Sequence, residues 1–203
     1  MAHRVEVFFD CSSPWTYLGF EYVQRRLAGL AVELVWRPIL VGGIFNTVNP
    51  SVYQSREMPV PAKAAYMRKD LQDWAHLVGV SITFPPPVFP VNSVKAMRGA
   101  FVAIDAGVLV PYARAVFKRY WTDLADISQD HELGAIATAV GLDRERFFEH
   151  IASAPIKERL REATAECVAR GGFGSPTLFL DGDDMYFGND RIELLRSRVL
   201  APG

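Results

Sequence analysis

Three short segments carry the residue types from which a binding or catalytic site could be assembled. The first is Ser13-Pro14-Trp15-Thr16, which follows an alternating apolar run and opens a helical pattern. A helix N-terminus presents unpaired N–H groups and about half a positive charge, so it stabilises an anion placed there. The second is Gly174-Ser175-Pro176-Thr177, a proline at the entrance to a strand, where a cis X-Pro bond is tolerated. The third is Phe187-Gly188-Asn189-Asp190, a strand-to-helix turn that sets exposed amides beside a carboxylate. Each also has a plain structural reading. Ser13 and Pro14 can be an ordinary N-cap and first-turn pair, Asp190 a capping residue, and Pro176 a trans proline opening an edge strand. Their joint occurrence, in this order and on these elements, is what points to a site.

Other reactive residue types are sparse. Cys11 lies two residues before Ser13 and reads as small apolar packing, and Cys167 sits on the apolar stripe of a helix. Two cysteines are too few for a disulfide framework or a zinc cage. The histidines, His3, His76, His131 and His150, are far apart without ligand spacing, so no metal site is expected. Twenty-two basic and 23 acidic side chains leave a net charge of −1, which offers no footprint for nucleic acid or an anionic membrane surface. With 50% apolar and 22% charged residues, the 203-residue chain is neither disordered nor fibrous. Its apolar runs stop short of the roughly 20 residues of a membrane span. The opening Met-Ala-His-Arg-Val-Glu is too charged for a secretory signal core, so a cytoplasmic globular protein is expected.

The elements that must position the three segments follow from periodicity. Val5, Val7 and Phe9 alternate as a strand; Phe20, Val23 and Leu27 recur at helical spacing behind Pro14; a second strand covers about 32–36. This strand–helix–strand unit is most simply parallel. From Pro38 to Pro61 the composition is loop-like, with Gly42-Gly43 and Asn49-Pro50. Helices are expected around Met67–Val78 with Gly79 as the stop, and around Val94–Ile104, Leu133–Val140 and Ile156–Cys167. Phe84-Pro85-Pro86-Pro87 should be extended. Strands return at 177–180 and 185–187 across a turn at Asp181-Gly182, and a final helix starts near Asn189 with Asp190 and Glu193 at capping-box spacing. The chain is therefore α/β, with strands at its ends and helices in its middle.

This βαβ–helices–ββα order, with Ser-Pro-x-x after the first strand and Gly-x-Pro-Thr before the third, resembles the DsbA-type branch of the thioredoxin fold. Phe9-Asp10-Cys11-Ser12-Ser13-Pro14-Trp15-Thr16-Tyr17-Leu18 is similar to the opening of 2-hydroxychromene-2-carboxylate isomerases and kappa-class glutathione transferases. So are Arg37-Pro38 with Gly42-Gly43-Ile44-Phe45, Asn92-Ser93 with Ala96-Met97-Arg98, and Phe187-Gly188-Asn189-Asp190-Arg191. The resemblance implies a thioredoxin fold made of 1–45 and 173–203, with a mostly helical insertion domain at 46–172.

Redox members of that fold open the first helix with Cys-x-x-Cys; Ser13 and Thr16 hold those positions here, so dithiol exchange is not expected. The resemblance instead implies glutathione as cofactor, with Ser13 as the catalytic residue donating to its sulfur and lowering a thiol pKa from about 8.5 toward neutrality. Ser175 and Pro176 would meet the cysteinyl part, and Phe187, Gly188, Asn189 and Asp190 the γ-glutamyl part. Trp15, Phe45, Asn46 and Asn49 would face a small aromatic carboxylate substrate, with Asn46 standing where some relatives have lysine. In the isomerase reaction the thiolate adds to a conjugated carbon, the new single bond rotates, and elimination returns glutathione unchanged. Two alternatives share the scaffold: a kappa-type transferase and a redox-inactive, DsbA-like binding protein. Relatives are commonly dimers, so the resemblance allows a homodimer, although no heptad or interface patch demands one.

Overall fold

In the computed structural model, which describes residues 2–201 with the side chain at position 56 excepted, the chain opens with β1 (His3–Phe9), α1 (Pro14–Leu27) and β2 (Val32–Pro38). The two strands are parallel, in register from His3 opposite Val32 to Phe9 opposite Pro38. A run of helices follows: α2 (Val41–Val48), α3 (Ser51–Glu57), α4 (Pro61–Val78), α5 (Val94–Asp105), α6 (Leu109–Trp121), α7 (Asp130–Ala139), α8 (Arg144–Ala152) and α9 (Ala154–Ala169). The chain returns through β3 (Thr177–Leu180), β4 (Asp184–Phe187), a 3-10 turn at Asn189–Arg191 and α10 (Ile192–Val199). β3 lies antiparallel to β1 and β4 antiparallel to β3, giving the order β2-β1-β3-β4. This is the expected α/β architecture with a helical insertion.

The two-residue period of the strands divides the core between the two sheet faces. Val5, Val7, Leu178 and Leu180 pack with Val23 and Leu27 of α1 and Ile192 and Leu195 of α10. On the other face Phe8 and Phe179 meet edge to face at 5.6 Å and join a larger cluster that runs through α5, α6 and α9. Each such side chain stabilises the fold by about 1.5–3 kcal/mol on burial. Glu6, also buried, is paired at 2.9 Å with Arg170, the C-cap of α9, and that guanidinium lies 3.9 Å from the Phe179 ring centre.

Several stretches differ from the sequence expectation. Residues 38–61 are not a loop but hold α2, α3 and the start of α4. Tertiary contacts override weak helix propensity there. Val41 and Ile44 are buried, Leu40 N–H donates to Thr164 Oγ1 at 3.0 Å, and Gly43 lies against Thr164 of α9. The Phe84–Pro87 segment bends rather than extends, because Phe84 and Phe89 turn in against each other at 5.2 Å and Phe84 stacks on Trp121. Asp190 and Glu193 form no capping box. Asp190 holds Arg191 at 2.9 Å, while Glu193 is drawn away by Arg26 and by Tyr22 Oη at 2.8 Å. α6 and α8 were not among the expected helices; α6 carries Pro111 in its first turn, where the missing N–H costs little.

Candidate functional site

The N-terminus of α1 is built as its sequence directs. Ser13 is the N-cap, its Oγ accepting from Thr16 N–H at 3.3 Å, and Pro14 occupies the first turn. That turn contains no acidic side chain, so the positive end of the helix dipole is not neutralised from within. Behind it, Asp10 is fully buried and organises the surrounding backbone. Its Oδ1 accepts from Ser12 N–H at 2.9 Å, and its Oδ2 from Val41 N–H at 2.9 Å and Ser93 Oγ at 3.1 Å. Burial raises the Asp10 pKa above the ordinary carboxylate value, and these hydrogen bonds oppose that shift.

The Ser175–Pro176 peptide is cis. Ser175 turns its side chain inward: its Oγ accepts from Asp10 N–H at 3.1 Å and shares a 2.7 Å bond with Thr16 Oγ1. Thr16, at the second position of the lost cysteine pair, is wholly buried and ties α1 to this loop. Nothing in the sequence pattern singled it out for that role. Ser13 Oγ, half-buried, donates to the Ser175 carbonyl oxygen at 3.3 Å, long for a hydroxyl donor. Close approach depends on Gly19 of α1, where a Cβ would sit 2.9 Å from Pro176 Cγ. The loop then meets the third segment, since Gly188 N–H donates to the Pro176 carbonyl oxygen at 3.0 Å. Gly188 has φ +99° and ψ 158°, a region open to glycine alone, which explains glycine at that turn.

A cleft of about 350 Å³ opens between these elements and α4, within the size range of small-molecule sites. Of the expected residues, Trp15, Ser175, Phe187, Gly188, Asn189 and Asp190 line it. Asp70 and Trp74 of α4 and Arg191 also line it; α4 read only as an apolar-faced helix, so no local motif marked Asp70. Asn189 is 3% exposed, and its Nδ2 is buried without a hydrogen-bond partner among the described residues. A buried donor left unpaired costs about 1–3 kcal/mol, so this amide calls for an acceptor from outside the chain. Ser13 is joined to the cleft through Ser175, and Pro176 is buried beneath it against Gly19. Phe45, Asn46 and Asn49 do not line this cleft. They lie on α2 and at its end, with Asn46 Oδ1 accepting from Tyr53 Oη at 2.8 Å and Asn49 Nδ2 donating to the Phe173 carbonyl at 3.1 Å. The Phe173 ring packs on Phe187 at 4.3 Å, which links that helix end to the cleft's rim.

Neither thiol is a nucleophile. Burial pushes the Cys11 thiol well above its ordinary value, with Asp10 adding to the rise, and pushes Cys167 up to about 11. Cys11 instead anchors the turn, its N–H meeting Met97 Sδ at 3.3 Å and its carbonyl accepting from Trp121 Nε1 at 3.0 Å. Among the described residues no group of three or more His, Cys, Asp or Glu could hold a metal ion, and no helix is long and apolar enough to cross a membrane.

The family description "DSBA-like thioredoxin domain" matches residues 4–200. The 2-hydroxychromene-2-carboxylate isomerase of Pseudomonas putida is 30% identical over 200 residues, covering 96% of this chain and 93% of that protein. Human glutathione S-transferase kappa 1 is 32% identical over 211 residues, covering 96% and 90%. Among solved structures, a 2-hydroxychromene-2-carboxylate isomerase superposes with a TM-score of 0.81 at 28% identity, over 96% of this chain and 93% of that one.

Proposed function

The chain belongs to the DSBA-like thioredoxin family, and on that premise we propose that it is a glutathione-dependent isomerase interconverting 2-hydroxychromene-2-carboxylate and trans-o-hydroxybenzylidenepyruvate. Relatives named as an isomerase and as a glutathione S-transferase support an enzyme of this family. The observation that carries the reading is the cleft, where the unpartnered Asn189 amide, the cis-proline loop and aromatic walls meet beside the N-terminus of α1. Those groups fit glutathione. Asn189 supplies a buried donor that lacks an acceptor, Asp70 offers a carboxylate for an ammonium, and the Asp190–Arg191 pair sets one charge of each sign beside them. Bound there, glutathione supplies the sulfur nucleophile that the chain's own cysteines do not.

Ser13 would stabilise a thiolate in two ways. Its hydroxyl gives up only a long 3.3 Å bond to the Ser175 carbonyl when it donates elsewhere. The uncompensated α1 N-terminus adds its partial positive charge. Asp10 and Thr16 hold the turn in place from behind, while Trp15, Trp74 and Phe187 give apolar surface for an aromatic substrate. A cytoplasmic location and a homodimer belong to the same proposal. The kappa-type transferase remains a second reading, because the kappa relative is as similar as the isomerase.

The test is conversion of 2-hydroxychromene-2-carboxylate followed by ultraviolet absorbance, with and without glutathione, and with the free thiol counted at the end. Conversion only in the presence of glutathione, with the thiol fully recovered, is expected. Loss of thiol to a conjugate would favour the transferase, and conversion without glutathione would overturn both.

A further inference from the structure

A second cavity, of about 590 Å³, lies where the start of α2 meets α5 and the first turns of α9, and shares no lining residue with the cleft. Its polar lining is dominated by cations: Arg98 from α5 and Lys157 and Arg161 from α9, against the carboxylate of Glu158. Glu158 is already committed to Arg161, with Nε 2.8 Å from its Oε2. Arg98 and Lys157 have no carboxylate within ion-pair distance among the described residues. Moreover, Arg98 Nε is buried without a hydrogen-bond partner. Surface arginines answer to water; a guanidinium N–H shielded from water normally finds an acceptor. Thr164 Oγ1, on the same wall, is engaged with Leu40 N–H at 3.0 Å and the Leu160 carbonyl at 2.7 Å. The remaining wall is apolar, formed by Leu40, Leu160 and Ala154.

We propose that this cavity binds a small organic anion, a carboxylate or phosphate head carried on an apolar body. Arg98 would pair with the head through its planar fork, Lys157 would add a point charge, and the leucines would cover the body. The site goes beyond the glutathione reading and stands or falls without it.

Amide chemical shifts of the full-length protein, titrated with benzoate, phenyl phosphate, benzamide and inorganic phosphate, test the proposal. Benzoate or phenyl phosphate should shift the amides of Leu40, Gly43, Ala154 and Thr164 at millimolar concentrations, and the comparison of the two identifies the head. Neutral benzamide and inorganic phosphate should each bind about tenfold more weakly, the first lacking charge and the second an apolar body. Lys157→Gln and Arg98→Gln should each weaken the aryl anion about tenfold; if Arg98→Gln does not fold, Lys157→Gln alone carries the reading. Shifts confined to Trp15 and Trp74 in the cleft, an undiminished affinity in Lys157→Gln, or benzamide binding as well as benzoate would each overturn it.

Discussion

The turn at the head of α1 and the α2–α3 stretch are built in opposite ways. In the turn, Asp10, Thr16 and Ser175 are buried and joined through the Ser175 hydroxyl, which meets Asp10 N–H and Thr16 Oγ1, and Gly19 and Gly188 are placed where only glycine fits. In α2 and α3 neither helix has a side-chain N-cap, and the chain through α3 and into α4 exposes Val48, Met58 and Val60. A site that holds a reacting group at one fixed point needs rigidity there. On the function proposed above, the rigid turn would hold the thiol, and the looser stretch would be free to vary without disturbing it.

Substitutions can break the contrast at its strong end. Asp10→Ala should cost the most, about 3 kcal/mol in urea unfolding, because three donors lose their acceptor in the interior. Asp10 also gives the contrast a pH signature. Its folded-state pKa is raised, so between the ordinary carboxylate value and the raised one the native state holds more proton than the unfolded state. Its contribution to stability therefore falls as pH rises through that window. Asp10→Asn should flatten the slope, and an unchanged slope would show that other carboxylates produce it.

Ser13→Ala should lower the isomerase rate at neutral pH by about 10²-fold, the scale of losing one preorganised donor to a developing anion. Its stability should drop by only about 1 kcal/mol, as for an N-cap. Gly19→Ala comes next. Alanine would gain about 1 kcal/mol in an ordinary helix interior, but here its Cβ meets Pro176 Cγ at 2.9 Å, so a net loss of about 1–2 kcal/mol with weaker glutathione binding is expected. At the loose end, Met58→Ser, at a residue 77% exposed, should change stability by less than about 0.5 kcal/mol and leave glutathione affinity unchanged. A large effect there would remove the contrast.

The same contrast governs what the sequence made legible. The N-cap at Ser13, the proline at the strand entrance and the glycine turn before Asn189 are local signals, written in residue type and spacing, and residues from all three segments line one cleft. Asp70, Trp74 and Thr16 have no such signature, because their roles depend on α4 crossing α1 and on a bond across 159 positions. The glycine- and proline-rich 38–61 stretch has the propensity of a loop, whereas the burial of Val41 and Ile44 decides its helicity. The Asp190–Glu193 spacing misled for the converse reason. A local pattern was present, but Arg26 and Tyr22 of α1 took Glu193 first.

The most direct test of the central claim is glutathione binding by titration calorimetry near pH 7, in buffers of different ionisation enthalpy, for the wild-type protein and Ser13→Ala. Micromolar-to-millimolar binding that releases protons from the wild type, and fewer from Ser13→Ala, is the predicted result. Absence of binding, or proton release undiminished by Ser13→Ala, would contradict a thiolate held at the head of α1.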